Sequence, residues 1–224
     1  MDWRESYLAY GAPDRFLNLE YEDMVDVPEV LKAQAQAFVS GFISYRRRPK
    51  YSPALKPGLF FIGMTGKGKS SLLAIILKDL IRQQKIIGTA RWLSVPLMSM
   101  TIKSSYDTHE AELDIIRPFL DTDLLILDDL GAAHFKRSAD GVAWLEDRLF
   151  VVIEDRYCKC RPVLATSNLS RDELKRSLGA RIYSRMEEMT EIVDVNELVP
   201  GDFRKKQSAK RKAKPRASKQ EPTV

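Results

Sequence analysis

The eight residues Gly63-Met64-Thr65-Gly66-Lys67-Gly68-Lys69-Ser70 constrain this chain more than any other stretch. They fit the pattern G-x4-G-K-[ST], in which glycines let the backbone curl until successive N–H groups point inward at phosphate oxygens. The pattern has meaning only where a strand feeds the loop and a helix leaves it, because the positive end of the helix dipole then faces the same anion. Both flanks are present. LFFI (59–62) is a short apolar run of the kind buried on both faces of a sheet, and SSLLAIILKDLIRQQ (70–84) reads as a helix. The loop therefore predicts a nucleotide site. Gly63, Met64, Thr65, Gly66, Lys67, Gly68, Lys69, Ser70 and Ser71 surround the phosphates of ATP, Lys69 reaches the β- and γ-phosphates, and the Ser70 hydroxyl ligates Mg²⁺. A glycine-rich turn with a stray lysine is the competing reading, and the flanking strand and helix speak against it.

The rest of the chain alternates in the same manner. Residues 28–45 read as a helix, with Pro28 in its first turn and Leu31, Ala35, Phe38 and Phe42 at helical spacing. A basic connecting loop, RRRPKYSPALKPG (46–58), precedes the first strand. Strands are expected at 86–95, 124–127, 162–166 and 191–195. Helices are expected within 97–119 and at 139–157, 171–177 and 179–189, the third opened by the capping-box spacing of Ser170 and Glu173. The first dozen residues show no clear period. Alternating strands and helices imply an α/β fold, a parallel sheet covered by helices on both faces.

LLILDDLG (124–131) carries four apolar residues into Asp128 and Asp129. A strand of this kind delivers its last carboxylates to the sheet edge beside the phosphate loop, where nucleotides bind in open α/β sheets. Asp128 can hold Mg²⁺ directly or through water, and Asp129 is placed to orient or deprotonate an attacking water. Taken alone, the pair is explained as well by a helix N-cap.

Charge divides the chain. The formal net charge is +5, yet Arg204 to Val224 hold nine Lys/Arg and one acid, which leaves 27 basic and 30 acidic residues in 1–203. A body of −3 carries a tail of +8, and the tail is too poor in apolar side chains to bury a core, so it is expected to be disordered. Two cysteines, Cys158 and Cys160, exclude a disulfide scaffold, and the remaining soft ligands, His109 and His134, are too far apart in sequence to suggest zinc. No run approaches the roughly 20 apolar residues of a membrane span, and no secretory signal opens the chain, so a cytoplasmic protein without a membrane partner is expected.

From Pro13-Asp14-Arg15-Phe16 to Arg204 the chain resembles the AAA+ ATPases of the bacterial helicase-loader and transposition-helper type, the group of DnaC-like, DnaI-like and IstB-like proteins. The resemblance rests on the phosphate loop at 63–70, LLILDDLG at 124–131, VIEDRYCKCRPVLATSN at 152–168, LGARIYSRMEEM at 178–189 and GDFR at 201–204, in that order. It implies a P-loop fold of AAA+ type with a reduced or absent helical lid, organised as a short segment 1–12, an ATPase domain 13–203 and the tail 204–224. It implies that Asn168 is the polar sensor, although Asn also favours strand-end turns. Arg185 would be an arginine finger that completes a neighbouring subunit's site in a homo-oligomer, the alternative being a surface pair with Glu187 or Glu188. Arg204 would be the second sensor, or simply the first charge of the tail.

The resemblance further implies ATP hydrolysis and action on DNA. The leading expectation is a replicative helicase loader that binds single-stranded DNA and works with a DnaB-type helicase. An IstB-like helper that places a transposase, or an ATP-bound DNA adaptor with negligible hydrolysis, are the alternatives. A small-molecule P-loop kinase would need substrate-gripping arginines in a lid over the site, and 97–119 offers few. Lys103 and Arg117 are the basic residues there, and a solvated helix face accounts for each. Lys67, Ser70 and Asp129 depart from the commonest residues of the family without removing the chemistry. Loaders of this type carry a domain that grips the helicase ahead of the ATPase, whereas about a dozen residues precede the match here.

Overall fold

The computed structural model describes residues 2–25, 27–44, 46, 56–95, 112–131 and 142–198. Five strands form one parallel sheet: β1 (Gly58–Ile62), β2 (Ala90–Ser94), β3 (Leu124–Asp128), β4 (Val163–Thr166) and β5 (Thr190–Asp194), in the spatial order β2-β3-β4-β1-β5. Leu59 of β1 lies opposite Leu164 on one side and Glu191 on the other, and Leu125 of β3 lies opposite Arg91 and Val163. Every residue of β1 and β4 is buried, which is why these strands read as unbroken apolar runs.

Among the described residues six helices cover the sheet: α1 (Trp3–Ala9), α2 (Glu29–Gly41), α3 (Lys69–Arg82), α4 (Glu112–Asp121), α5 (Val142–Cys158) and α6 (Arg171–Met189). Successive strand side chains point to opposite faces and so feed two cores. Leu59, Phe61, Ile126 and Leu164 pack with α3, α2 and Tyr7 of α1. Phe60, Ile62, Leu125, Leu127 and Ala165 pack with Phe119 of α4, Leu149 and Val152 of α5, and Leu174, Ile182 and Met186 of α6. Arg156 of α5, fully buried, ties one end of this arrangement together. Its guanidinium donates to the carbonyls of Phe119, Thr122, Asp123 and Pro162, at the end of α4 and the starts of β3 and β4.

Several boundaries differ from the sequence expectation, each for a local reason. The strand expected over 86–95 begins only at Ala90: its first ladder bond to β3 runs from the Leu124 N–H to the Thr89 carbonyl, and Gly88, with φ of 100°, is not extended. The helix expected over 28–45 stops at Gly41, where Phe42 turns extended. The helix within 97–119 is seen as α4, which runs through Pro118 to Asp121, and residues 97–111 lie outside the described residues. The stretches 171–177 and 179–189 join as α6 around Gly179, whose φ of 72° and ψ of 158° interrupt the helix. The Ser170–Glu173 capping box is present as expected.

The unpatterned N-terminus is also structured. Helix α1 starts with a capping box between Asp2 and Glu5, but buries only Tyr7, so it has no apolar stripe to reveal it. It packs on α3, and Tyr10 accepts a 2.7 Å hydrogen bond from the Trp92 N–H on the outer edge of β2. Among the described residues no helix is long and apolar enough to cross a membrane.

Candidate functional site

The C-terminal ends of β1, β3 and β4 converge on one cleft of about 370 Å³. β1 ends at Ile62 and releases the chain into the phosphate loop. Gly68 is the N-cap of α3 with φ of 83°, a left-handed conformation that a side-chain-bearing residue adopts only at a cost. Helix α3 therefore begins with its unpaired N–H groups facing the cleft. Gly66, Lys67, Gly68, Lys69, Ser70 and Ser71 line it. Met64 is held from outside the motif: its N–H donates to Asn196 Oδ1 at 2.7 Å.

Lys69 is almost fully buried, and its ammonium donates to the Gly63 carbonyl at 2.6 Å, the Met64 carbonyl at 2.7 Å and Asn168 Oδ1 at 2.9 Å. Asn168 Nδ2 in turn donates to Asp129 Oδ1 at 2.5 Å. The orientation of this amide is forced, since Lys69 is purely a donor and the Asp129 carboxylate purely an acceptor. Asn168 thus links the loop lysine to the acidic strand end.

On the other side of the cleft, Ser70 Oγ donates to Asp128 Oδ1 at 2.7 Å, and Thr166 Oγ1 donates to the same oxygen at 2.6 Å. Thr166 Oγ1 also accepts the Asp129 N–H at 2.9 Å. That bond fixes Asp129 at φ of 65°, a left-handed turn that Asp tolerates better than most residues, and directs consecutive carboxylates to different partners. Ser70, Asp128 and Thr166 present adjacent hard oxygens, a donor set suited to Mg²⁺.

The structure therefore brings Lys69, Ser70, Asp128, Asp129 and Asn168 together. Five lining residues escaped the sequence reading. Thr166 lay unremarked within the PVLATSN run, and Ser94, at the end of β2, is opposite Asp128. Arg15 and Phe16 come from a single 3₁₀ turn (Asp14–Phe16), and Leu19 follows them into the same wall. Their only sequence signal was that the family resemblance starts there. Asn196 carried no signal at all.

Arg185 lies elsewhere. It is not among the cleft-lining residues. On α6 its Nε donates to Glu154 Oε2 of α5 at 2.8 Å, its guanidinium stacks over the Tyr157 ring at 4.3 Å, and Glu188 is 3.9 Å away. The surface-pair alternative had named Glu187 or Glu188, and the nearest partner is instead Glu154. The Arg185 hydrogen bond holds the Glu154 carboxyl below the usual carboxylate range. Arg181 stacks on Phe150, 3.9 Å from the ring centre. Arg204, the tail and Lys103 lie outside the described residues, and Arg117 is exposed on α4.

This sheet order, with the phosphate loop leaving its β1 and acidic and amide side chains at the ends of β3 and β4, defines an α/β P-loop fold. No protein-family model matches the chain. In fold and sequence it is similar to the helicase loaders DnaC and DnaI. The crystal structure of the DnaC helicase loader superposes with a TM-score of 0.64 at 21% identity, covering 81% of this chain and 99% of that one. The replicative helicase loader DnaI of Bacillus subtilis (strain 168) is 29% identical over 138 residues, 60% of this chain and 40% of DnaI. YqaM of the same organism, of uncharacterized function, is 26% identical over 188 residues, 78% of this chain and 55% of YqaM. The replication initiator DnaA, bound to AMPPCP and single-stranded DNA, has a TM-score of 0.59 at 15% identity, covering 80% of this chain and 48% of that one. The chain spans about half the length of the curated relatives it matches. The resemblance read from the motifs is borne out by these likenesses.

Proposed function

We propose that this chain binds ATP with Mg²⁺, hydrolyses it, and uses the cycle as a helicase loader acting with single-stranded DNA and a replicative helicase of the DnaB type. The observation that carries the proposal is the hydrogen-bonded chain Lys69–Asn168–Asp129 beside Ser70–Asp128. Lys69 and the N–H groups at the start of α3 hold the phosphates, and Phe16 and Leu19, the apolar side chains of the cleft, suit the base end. Ser70 and Asp128 would hold Mg²⁺, which when bound offsets charge on the β- and γ-phosphate oxygens. Asp129 receives the proton of the attacking water, and Asn168 orients that water against the γ-phosphate. The likeness to DnaC and DnaI supports the loader role, and DnaA with bound AMPPCP supports a nucleotide in a cleft of this fold.

The test is ATP turnover with and without single-stranded DNA. Asp129→Asn should retain ATP binding and lower turnover on the order of 10²-fold or more, the usual worth of a general base. Unchanged turnover in Asp129→Asn removes that assignment. ATP binding without measurable turnover in the unaltered chain, alone and with DNA, makes it an ATP-bound adaptor instead.

A further inference from the structure

The ammonium of Lys78 is fully buried on α3 and belongs to no part of the nucleotide chemistry described above. Burying such a charge is costly unless it is paired. Its partners come from the N-terminal segment: Glu20 Oε1 lies 3.0 Å away, and the Leu19 carbonyl accepts a second bond. Glu20 is also gripped from the other side by Arg82, whose two terminal nitrogens donate to its two oxygens at 3.0 and 3.3 Å. The same Arg82 guanidinium stacks 4.2 Å over the Trp3 ring of α1. One carboxylate therefore fastens residues 13–20 to α3 at two points one turn apart.

What it fastens is the wall of the cleft. Arg15, Phe16 and Leu19 line one side, and Leu19 is adjacent to Glu20. The opposite end of the same helix is the phosphate loop, with Lys69 nine residues before Lys78. Two and a half turns of one rigid helix thus carry both the phosphate-binding end and the anchor of the apolar wall.

We propose that Glu20, clamped by Lys78 and Arg82, is a positioning residue for the nucleotide: it holds Phe16 and Leu19 at a fixed setting from the phosphate loop, so that the base end of the nucleotide binds a preformed wall. This rests on the cleft being the ATP site. Preformed walls add affinity because side chains are ordered before the ligand arrives.

The test separates the two ends of the ligand. ADP needs both the loop and the wall, whereas inorganic tripolyphosphate needs only the loop. Binding of each is measured by calorimetry to the full chain, to Glu20→Gln and to Arg82→Gln, with thermal melts establishing that each variant is folded. Glu20→Gln should weaken ADP roughly tenfold, about the ordering cost of two side chains, and leave tripolyphosphate within twofold. Arg82→Gln should act in the same direction and less strongly. Equal loss of both ligands, or no loss of either, overturns the positioning role. If the unaltered chain binds tripolyphosphate and not ADP, the ATP reading itself fails, and the positioning role with it.

Discussion

At the scale of single residues the site depends on one hydroxyl more than its sequence position suggests. Thr166 is almost fully buried, and its Oγ1 both donates to Asp128 and accepts the Asp129 N–H. Thr166→Val keeps the shape and removes both bonds. The Asp129 N–H then loses its partner and the tie to the Asp128 carboxylate is gone, at a cost of about 1–3 kcal/mol. The expected outcome is a lower denaturation midpoint in urea with an unchanged slope, whereas Thr166→Ser, which retains the hydroxyl, should lie close to the parent. Equal stability of the Val variant would remove this role. The contrast with Lys69 shows what was legible. A lysine inside G-x4-G-K-[ST] names its own function, and Asp128-Asp129 gains its meaning by following such a loop. Thr166, Asn196 and the wall residues Arg15, Phe16 and Leu19 acquire meaning only when separate elements meet, and no local pattern encodes that meeting.

At the scale of elements, the sequence was most readable where burial is one-sided or complete. Strands β1, β3 and β4 lie where they were expected because their apolar runs are short, continuous and bounded by glycine, acid, proline or serine, and helix α3 because it follows the phosphate loop. Helix α1 was not legible, since Tyr7 is its only buried residue. Helix α6 was legible from its start, and its cap is testable. Ser170 Oγ accepts the Glu173 N–H, and the Glu173 carboxylate accepts the Ser170 N–H at 2.8 Å. Ser170→Ala should cost about 1 kcal/mol, the usual worth of an N-cap. The cap also has a pH signature. The Ser170 backbone N–H holds the Glu173 carboxyl below its ordinary value of 4.5, so the carboxylate form is favoured in the folded chain. Its contribution is complete above the unfolded value and is lost as pH falls through the lowered folded value. Glu173→Gln should remove that acid-range portion of the stability profile. An unchanged profile between the parent and Glu173→Gln would exclude the cap as its source.

At the scale of the whole molecule two features bear on partners beyond the cleft. The tail from Arg204 carries nine cations, suited to salt-dependent attraction to nucleic-acid phosphates, to an acidic partner surface, or to solubility alone. Deleting residues 205–224 should flatten the salt dependence of single-stranded DNA binding, and an unchanged slope would assign the tail to another partner. Arg185 is the second feature. It was legible only through the LGARIYSRMEEM segment of the resemblance, because Glu154 and Tyr157, which hold it, lie about thirty residues earlier on α5. It does not line the cleft of its own chain, so a role for it in hydrolysis requires the cleft of another copy. A guanidinium suits that task, since it is planar, permanently charged and matched to phosphoryl oxygens. The requirement can be tested by mixing. Lys69→Ala lacks the loop ammonium but keeps Arg185, and Arg185→Ala keeps an intact cleft. Each alone should be inactive. Combined under conditions where oligomers are verified by mass measurement, the intact cleft of one variant meets the arginine of the other, and ATPase activity should return in part. Mixed oligomers without any return of turnover would leave Arg185 as the surface partner of Glu154.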